Sequence, residues 1–249
     1  MTSDRDWQKW GKTDPYFGVV TAPEFQASQI TANLDRFFET GRRDVSATLA
    51  QIARFYGDVP KTRALDFGCG VGRLVLPFSQ HFDHVVGVDI SEDMIEEARK
   101  NCAGAGARNV DFVISDDALT LVKGSFDLVH SYIVLQHIPV ARGLALTNRL
   151  LSLVNPGGVA VLHYSLHRTL SFAKASAYAL KHHVPFGRLA MNVLQSKKWN
   201  TPAMQMNNYP LTELLAVFER RNMEDIIVIP EWYTSALTAR IFARRGKSS

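Results

Sequence analysis

The chain has few cysteines, no long apolar run and, in one long stretch, no acidic residue at all. Only Cys69 and Cys102 occur in 249 residues, so neither a disulfide framework nor a cysteine-built zinc cluster is available. No apolar run approaches the roughly 20 residues that span a bilayer. The first 20 residues are polar and charged rather than signal-like, and the expected home is a reducing cytoplasm. Repeats and low-complexity tracts are missing too, while a hydrophobic share of 46% allows a sizeable core. Residues 166–200 hold Arg168, Lys174, Lys181, Arg188, Lys197 and Lys198 and neither Asp nor Glu. Those six charges exceed the whole chain's surplus of +4, so the basic character is local. It marks a face suited to an anionic group or a membrane surface.

What is present centres on residues 64–73, Ala-Leu-Asp-Phe-Gly-Cys-Gly-Val-Gly-Arg. A short apolar run enters a turn with glycine at every second position, and Leu74 to Ser79 then begins a helix. Strand, bare loop and helix in that order suit a nucleotide. Without a Cβ, Gly68, Gly70 and Gly72 let a ligand approach the main chain closely.

Alternation of strands and helices continues downstream. His84 to Asp89 is a buried strand ending in an acid. Ser91 caps a helix whose apolar side carries Met94, Ile95, Ala98 and Cys102. Val110 to Ile114 and Phe126 to Tyr132 are further strands. Ala141 to Val154 is helical and stops at Asn155-Pro-Gly-Gly158, and Val159 to Tyr164 is a fifth strand. This rhythm predicts a doubly wound, mostly parallel α/β sheet. Upstream, the apolar spacing from Pro23 to Tyr56 predicts two amphipathic helices broken near Gly41. Residues 1–22, with Trp7, Trp10, Tyr16 and Phe17, form an aromatic arm that either pins itself to the core or covers a site. Leu211 to Arg221 is a helix, and Ile226 to Ile229 with Leu237 to Ala243 suit a hairpin.

In a doubly wound sheet the ligand sits outside the carboxyl ends of the strands. Asp89, 17 residues past Gly72, is placed to bind the two ribose hydroxyls of an adenosine. A dinucleotide loop needs glycine where Arg73 stands, and no Lys-Ser/Thr end of a P-loop follows. Asp66 ahead of the turn can instead meet an ammonium.

Taken together, Leu65 to Arg73, Val88-Asp89, Ser115-Asp-Asp-Ala118, Phe126-Asp-Leu-Val129 and Asn155 to Gly158 resemble the ordered motifs of class I S-adenosylmethionine-dependent methyltransferases. The resemblance covers residues 60–165 closely. It implies a seven-stranded sheet with helices on both faces and S-adenosylmethionine as cofactor. Asp66 and the main chain of Gly68 and Gly70 then hold the methionine end, Asp89 the ribose, and Asp116 or Asp117 the adenine amino group beside the main chain of Ala118. Cys69, Gly72, Arg73 and Ile90 complete the expected cofactor set. The second of the paired acids is equally well read as a helix cap. His137, after the fourth strand, is the candidate general base, with packing or capping of the next helix as its alternative role. His163, Tyr164 and His167 are weaker candidates. His182 and His183 read as a solvated helix face, and no metal site is expected.

The expected organisation is one domain. Residues 1–57 are the arm and first helices, 58–165 the cofactor-binding core, 166–204 a basic helical insertion capping the acceptor, and 205–249 the closing helix and hairpin. No Asn/Asp-Pro-Pro-aromatic motif follows the fourth strand and neither cysteine follows proline, which speaks against nucleic-acid acceptors. The expected reaction is O-methylation of a small molecule or glycan. A lipid-linked or nucleic-acid acceptor at the basic surface, or a non-catalytic S-adenosylmethionine-binding module, are the alternatives.

Overall fold

The structure, a computed structural model, describes residues 2–168, 202, 204–233 and 236–247. Seven strands form one sheet: β1 (Arg63–Phe67), β2 (His84–Asp89), β3 (Val110–Ile114), β4 (Phe126–Ser131), β5 (Val154–Arg168), β6 (Met223–Tyr233) and β7 (Ala236–Arg245). Their order is β3-β2-β1-β4-β5-β7-β6. All contacts from β3 to β5 are parallel, whereas β7 runs antiparallel to both neighbours. The order of strands reverses at the β1–β4 boundary, with β2 and β3 to one side and β4 and β5 to the other, which opens the crevice where ligands bind in such sheets.

Strands of this kind are buried on both faces and therefore read as continuous apolar runs. In β1, Leu65 and Phe67 join the core beneath α6 (Val140–Ser152) and α7 (Leu211–Arg220), with Leu150, Leu151, Leu214 and Phe218. Ala64 faces the opposite core, beneath α3 (Ile30–Tyr56), α4 (Val75–Phe78) and α5 (Glu92–Gly104), with Ile52, Phe78 and Ala98. The Ser91 hydroxyl accepts from the Met94 N–H at 3.3 Å and caps α5 as its sequence position foretold.

A third apolar cluster lies outside the sheet. It joins Trp10, Tyr16, Phe25, Phe37, Phe38, Val71 and Met94, and includes residues of α1 (Thr2–Thr13) and α2 (Pro15–Val19). The Tyr16 hydroxyl donates to Glu97 on α5 at 2.8 Å. The aromatic arm is thus packed against the core, and its first turns also reach the site described below.

Three expectations are corrected. The helix at Gly41 does not break: α3 is continuous over 27 residues, preceded by a 3-10 turn at Pro23–Phe25. Gly41 is buried where α3 crosses the glycine loop, and a Cβ there would lie 2.2 Å from the Arg73 carbonyl oxygen. The glycine marks a crossing and not an end. The helix after the loop is only four residues long. The fifth strand spans Val154–Arg168, longer at both ends than the apolar run suggested, and takes up positions 166–168 of the expected insertion. Residues 202 and 204, at its other end, are irregular. Residues 169–201 and 203, which include the basic residues after Arg168, lie outside the described residues. No described helix is long and apolar enough to cross a membrane.

Candidate active site

At the carboxyl ends of β1, β2 and β4 the glycine loop forms the floor of a cavity of about 980 Å³, counting its open mouth. Gly68 and Gly70 have φ of +76° and +52°, in the left-handed region where a side chain is strained. The Gly68 and Cys69 N–H groups both donate to the Val88 carbonyl, at 2.7 and 3.0 Å, so the loop is clamped to the end of β2. Gly72 faces away from the cavity; a Cβ there would meet Ala98 and Cys102 of α5 at 3.3 and 3.4 Å. Its role is close packing.

Asp89 ends β2 with each carboxylate oxygen bridged to main chain. Oδ2 accepts from Gly70 N–H and Oδ1 from Ser91 N–H, both at 2.9 Å. Burial raises its pKa, while these N–H groups pull it back down. The carboxylate is thereby pinned in the cavity wall next to Ile90. Asp66 also reaches the wall and is buried, with Oδ1 held at 2.8 Å by Nδ1 of His130 on β4. Between these acids the Cys69 thiol is pushed up, first by burial and then by the two neighbouring carboxylates, which makes it a poor nucleophile.

The two acids after β3 separate clearly. Asp116 turns back on its own loop, accepting from the N–H of Thr120 at 2.9 Å and from its hydroxyl, and these bonds lower its pKa. No helix lies between β3 and β4, so neither acid is the expected helix cap, and Asp116 closes a turn instead. Asp117 lines the cavity and pairs with Arg142 of α6 at 2.5 Å, and Arg142 pairs at 2.5 Å with Asp4 of α1. Ala118 lies outside the cavity, its carbonyl accepting from Arg149 at 2.9 Å. Arg73 reaches the wall, but its guanidinium bonds Asp44 at 2.6 Å and Thr40 at 3.1 Å on α3. It anchors that helix to the loop.

His137 lies in a 3-10 turn, Leu135–His137, at the cavity wall. Its Nδ1 donates to the Gln205 carbonyl at 2.5 Å, which leaves Nε2 as the acceptor, 3.3 Å from the Gln136 amide nitrogen. Burial lowers its pKa to about 4, so the ring is neutral near pH 7. The Trp7 ring packs on it at 5.0 Å, and the Ser3 hydroxyl donates to its carbonyl at 3.0 Å. The arm therefore roofs this side of the cavity. Tyr164 is buried in the core beneath α6 and α7, bonded to Thr147 at 2.9 Å, and does not line the cavity. His163 packs against Tyr132 at 5.1 Å and does not line the cavity.

The cavity thus gathers Asp66, Gly68, Cys69, Gly70, Arg73, Asp89, Ile90, Asp117 and His137, and leaves out Gly72, Asp116 and Ala118. Sequence reasoning missed His130 and Arg142. His130 shares the face of β4 that carries Leu128, a period-two signal, but its pairing with Asp66 depends on a β1–β4 register that sequence does not reveal.

Comparison with known proteins agrees with this geometry. Residues 64–158 match the family model described as a methyltransferase domain. That match runs from β1 to the start of β5, and over those residues the chain is similar to methyltransferases. Among the relatives of this chain, the ubiquinone biosynthesis O-methyltransferase of Sinorhizobium medicae is 33% identical over 137 residues, covering 52% of this chain and 54% of its own. The magnesium-protoporphyrin O-methyltransferase of Synechocystis is 33% identical over 99 residues, 40% of this chain and 43% of its own. The chain spans about half the length of the curated relatives it matches. A crystal structure of magnesium protoporphyrin IX methyltransferase from Synechocystis with S-adenosylmethionine bound superimposes with a TM-score of 0.64 at 17% identity, covering 99% and 98% of the two chains. That likeness establishes the fold.

Proposed function

We propose that this chain transfers the methyl group of S-adenosylmethionine to an oxygen of a small molecule, with a glycan among the possible acceptors. The observation that carries the reading is Asp89, fixed by Gly70 and Ser91 main chain at the mouth of a side-chain-free loop. Four acids stand in the cavity wall: Asp4, which pairs with Arg142, and Asp66 for the ammonium, Asp89 for the ribose hydroxyls and Asp117 for the adenine amino group. A ligand with cationic, diol and amine-donor ends fits the last three acceptors. Two relatives named O-methyltransferases support oxygen as the accepting atom. A reducing cytoplasm suits Cys69 and Cys102, both free and buried.

S-adenosylmethionine supplies an activated methyl on a sulfonium, displaced in line by the acceptor. The protein's part is to orient the two reactants and exclude water. Trp7 and the Ser3 contact close the cavity on the His137 side. Nε2 of neutral His137, its tautomer set by the Gln205 carbonyl, takes the proton released by an acceptor hydroxyl once that hydroxyl displaces the Gln136 amide from it.

The purified protein with labelled cofactor is expected to label members of a panel of phenols, sugars and carboxylic acids. Label appearing only in RNA or DNA would overturn the reading. Asp89→Ala is expected to abolish S-adenosylmethionine binding in a calorimetric titration, and undiminished binding would remove Asp89 from the site.

A further inference from the structure

We propose that His130 is a positioning residue that sets the carboxylate of Asp66 for the ammonium end of the cofactor, an inference resting on the S-adenosylmethionine reading above. Asp66 and His130 are direct register partners on the adjacent central strands β1 and β4. Both side chains are 3% exposed, and Nδ1 of His130 lies 2.8 Å from Oδ1 of Asp66. An ionised carboxylate only accepts hydrogen bonds, so Nδ1 carries the hydrogen. The Phe78 ring meets the imidazole edge-on at 5.1 Å and holds its plane. Two buried groups are therefore locked to each other in the most constrained part of the sheet, and one of them forms the cavity wall.

The arrangement divides the work of the carboxylate. Oδ1 is committed to His130, which fixes the torsion of the Asp66 side chain, and Oδ2 is left for the ligand. A buried carboxylate that relied on the ammonium alone would lose its partner each time the ligand left, at the desolvation cost of an unpaired charge. With the imidazole as a permanent donor, the Asp66 carboxylate stays paired and oriented between ligands. His130 itself does not reach the cavity and acts only through Asp66.

Two substitutions separate this role from mere packing. In His130→Asn the amide nitrogen falls near the place of Nδ1, and in His130→Gln near that of Nε2. Both variants stay polar and close in size to histidine. The probes are S-adenosylhomocysteine, which carries the ammonium, and 5′-methylthioadenosine, which keeps the nucleoside but has no amino-acid end. Expected in calorimetry is Asn within about twofold of the parent for both probes. Gln is expected to lose roughly tenfold or more for S-adenosylhomocysteine, the worth of a hydrogen bond to a charged group, with 5′-methylthioadenosine unchanged. Equal S-adenosylhomocysteine affinity in the two variants, or a parallel loss of both probes, would overturn the role of His130. Failure of the parent protein to bind either probe would instead overturn the cofactor reading itself.

Discussion

At the scale of single residues, His137 joins a structural duty to a chemical one. Through Nδ1 it fastens the 204–210 segment to the cavity, and its Nε2 lone pair, held by the Gln136 amide, is the one an acceptor hydroxyl would claim. His137→Asn keeps a donor for the Gln205 carbonyl and removes Nε2. Steady-state assays are expected to show turnover slowed about 100-fold with cofactor affinity retained, whereas unchanged turnover would reduce the residue to its packing role. Because its pKa is lowered to about 4, the parent rate should stay level from pH 8 to 5 as far as this group is concerned and fall only as pH approaches 4. The acids of this site were legible because each stands at a strand end, where side-chain type and position along the chain coincide. Which of Asp116 and Asp117 faces the cavity was not, since Thr120 claims the first through a turn whose closure depends on local backbone geometry. His130 and Arg142 were invisible for a different reason: their partners are 64 and 25 residues away, and no local pattern encodes such a pairing.

At the scale of elements, strand and helix positions followed from apolar period and from caps such as Ser91, and most limits fell within a residue or two. Gly41 was misjudged because a glycine amid helical spacing reads as a breaker, while its cause here is tertiary contact with the Arg73 backbone. Gly41→Ala is expected to lower stability by about 1–3 kcal/mol, the usual cost of forcing atoms into a filled space. Gly104, the last residue of α5, has no atom within 4 Å of where a Cβ would stand. There the same substitution should raise stability by up to about 1 kcal/mol through lost chain entropy. Thermal melts of the two variants check the contrast, and equal melting temperatures would deny that α3 touches the loop at Gly41.

At the scale of the whole molecule, two buried neutral imidazoles tie the fold to pH. His137 is lowered to about 4 and His163 to about 3, in both cases chiefly by burial. A histidine whose folded pKa is depressed contributes stability that is present above its unfolded value near 6.5 and lost as pH falls towards the folded value. Each contributes up to about 3 kcal/mol over that window. Urea midpoints measured from pH 7 to pH 4 should therefore decline, and decline less in His163→Phe. Parallel pH profiles for the two proteins would contradict the assignment. The sheet order as a whole was readable in outline, because βα alternation admits few arrangements. The antiparallel β6–β7 edge followed from two β-rich runs close together in sequence.

The unbroken α3 has one more consequence, for how this chain tolerates changes in length. Near its start, Leu34, Phe37 and Phe38 pack under the N-terminal arm. At its end, Tyr56 bonds the Asp225 carbonyl at 2.9 Å and its own carbonyl accepts from Arg244, both on the outer hairpin. Roof and hairpin are thus joined by a single rod of about 40 Å with no loop between them. One residue added within it would turn everything beyond by about 100° and bring the wrong face to the sheet. A flexible joint could absorb any insertion, but this rod accepts only steps close to a full turn, three or four residues at a time.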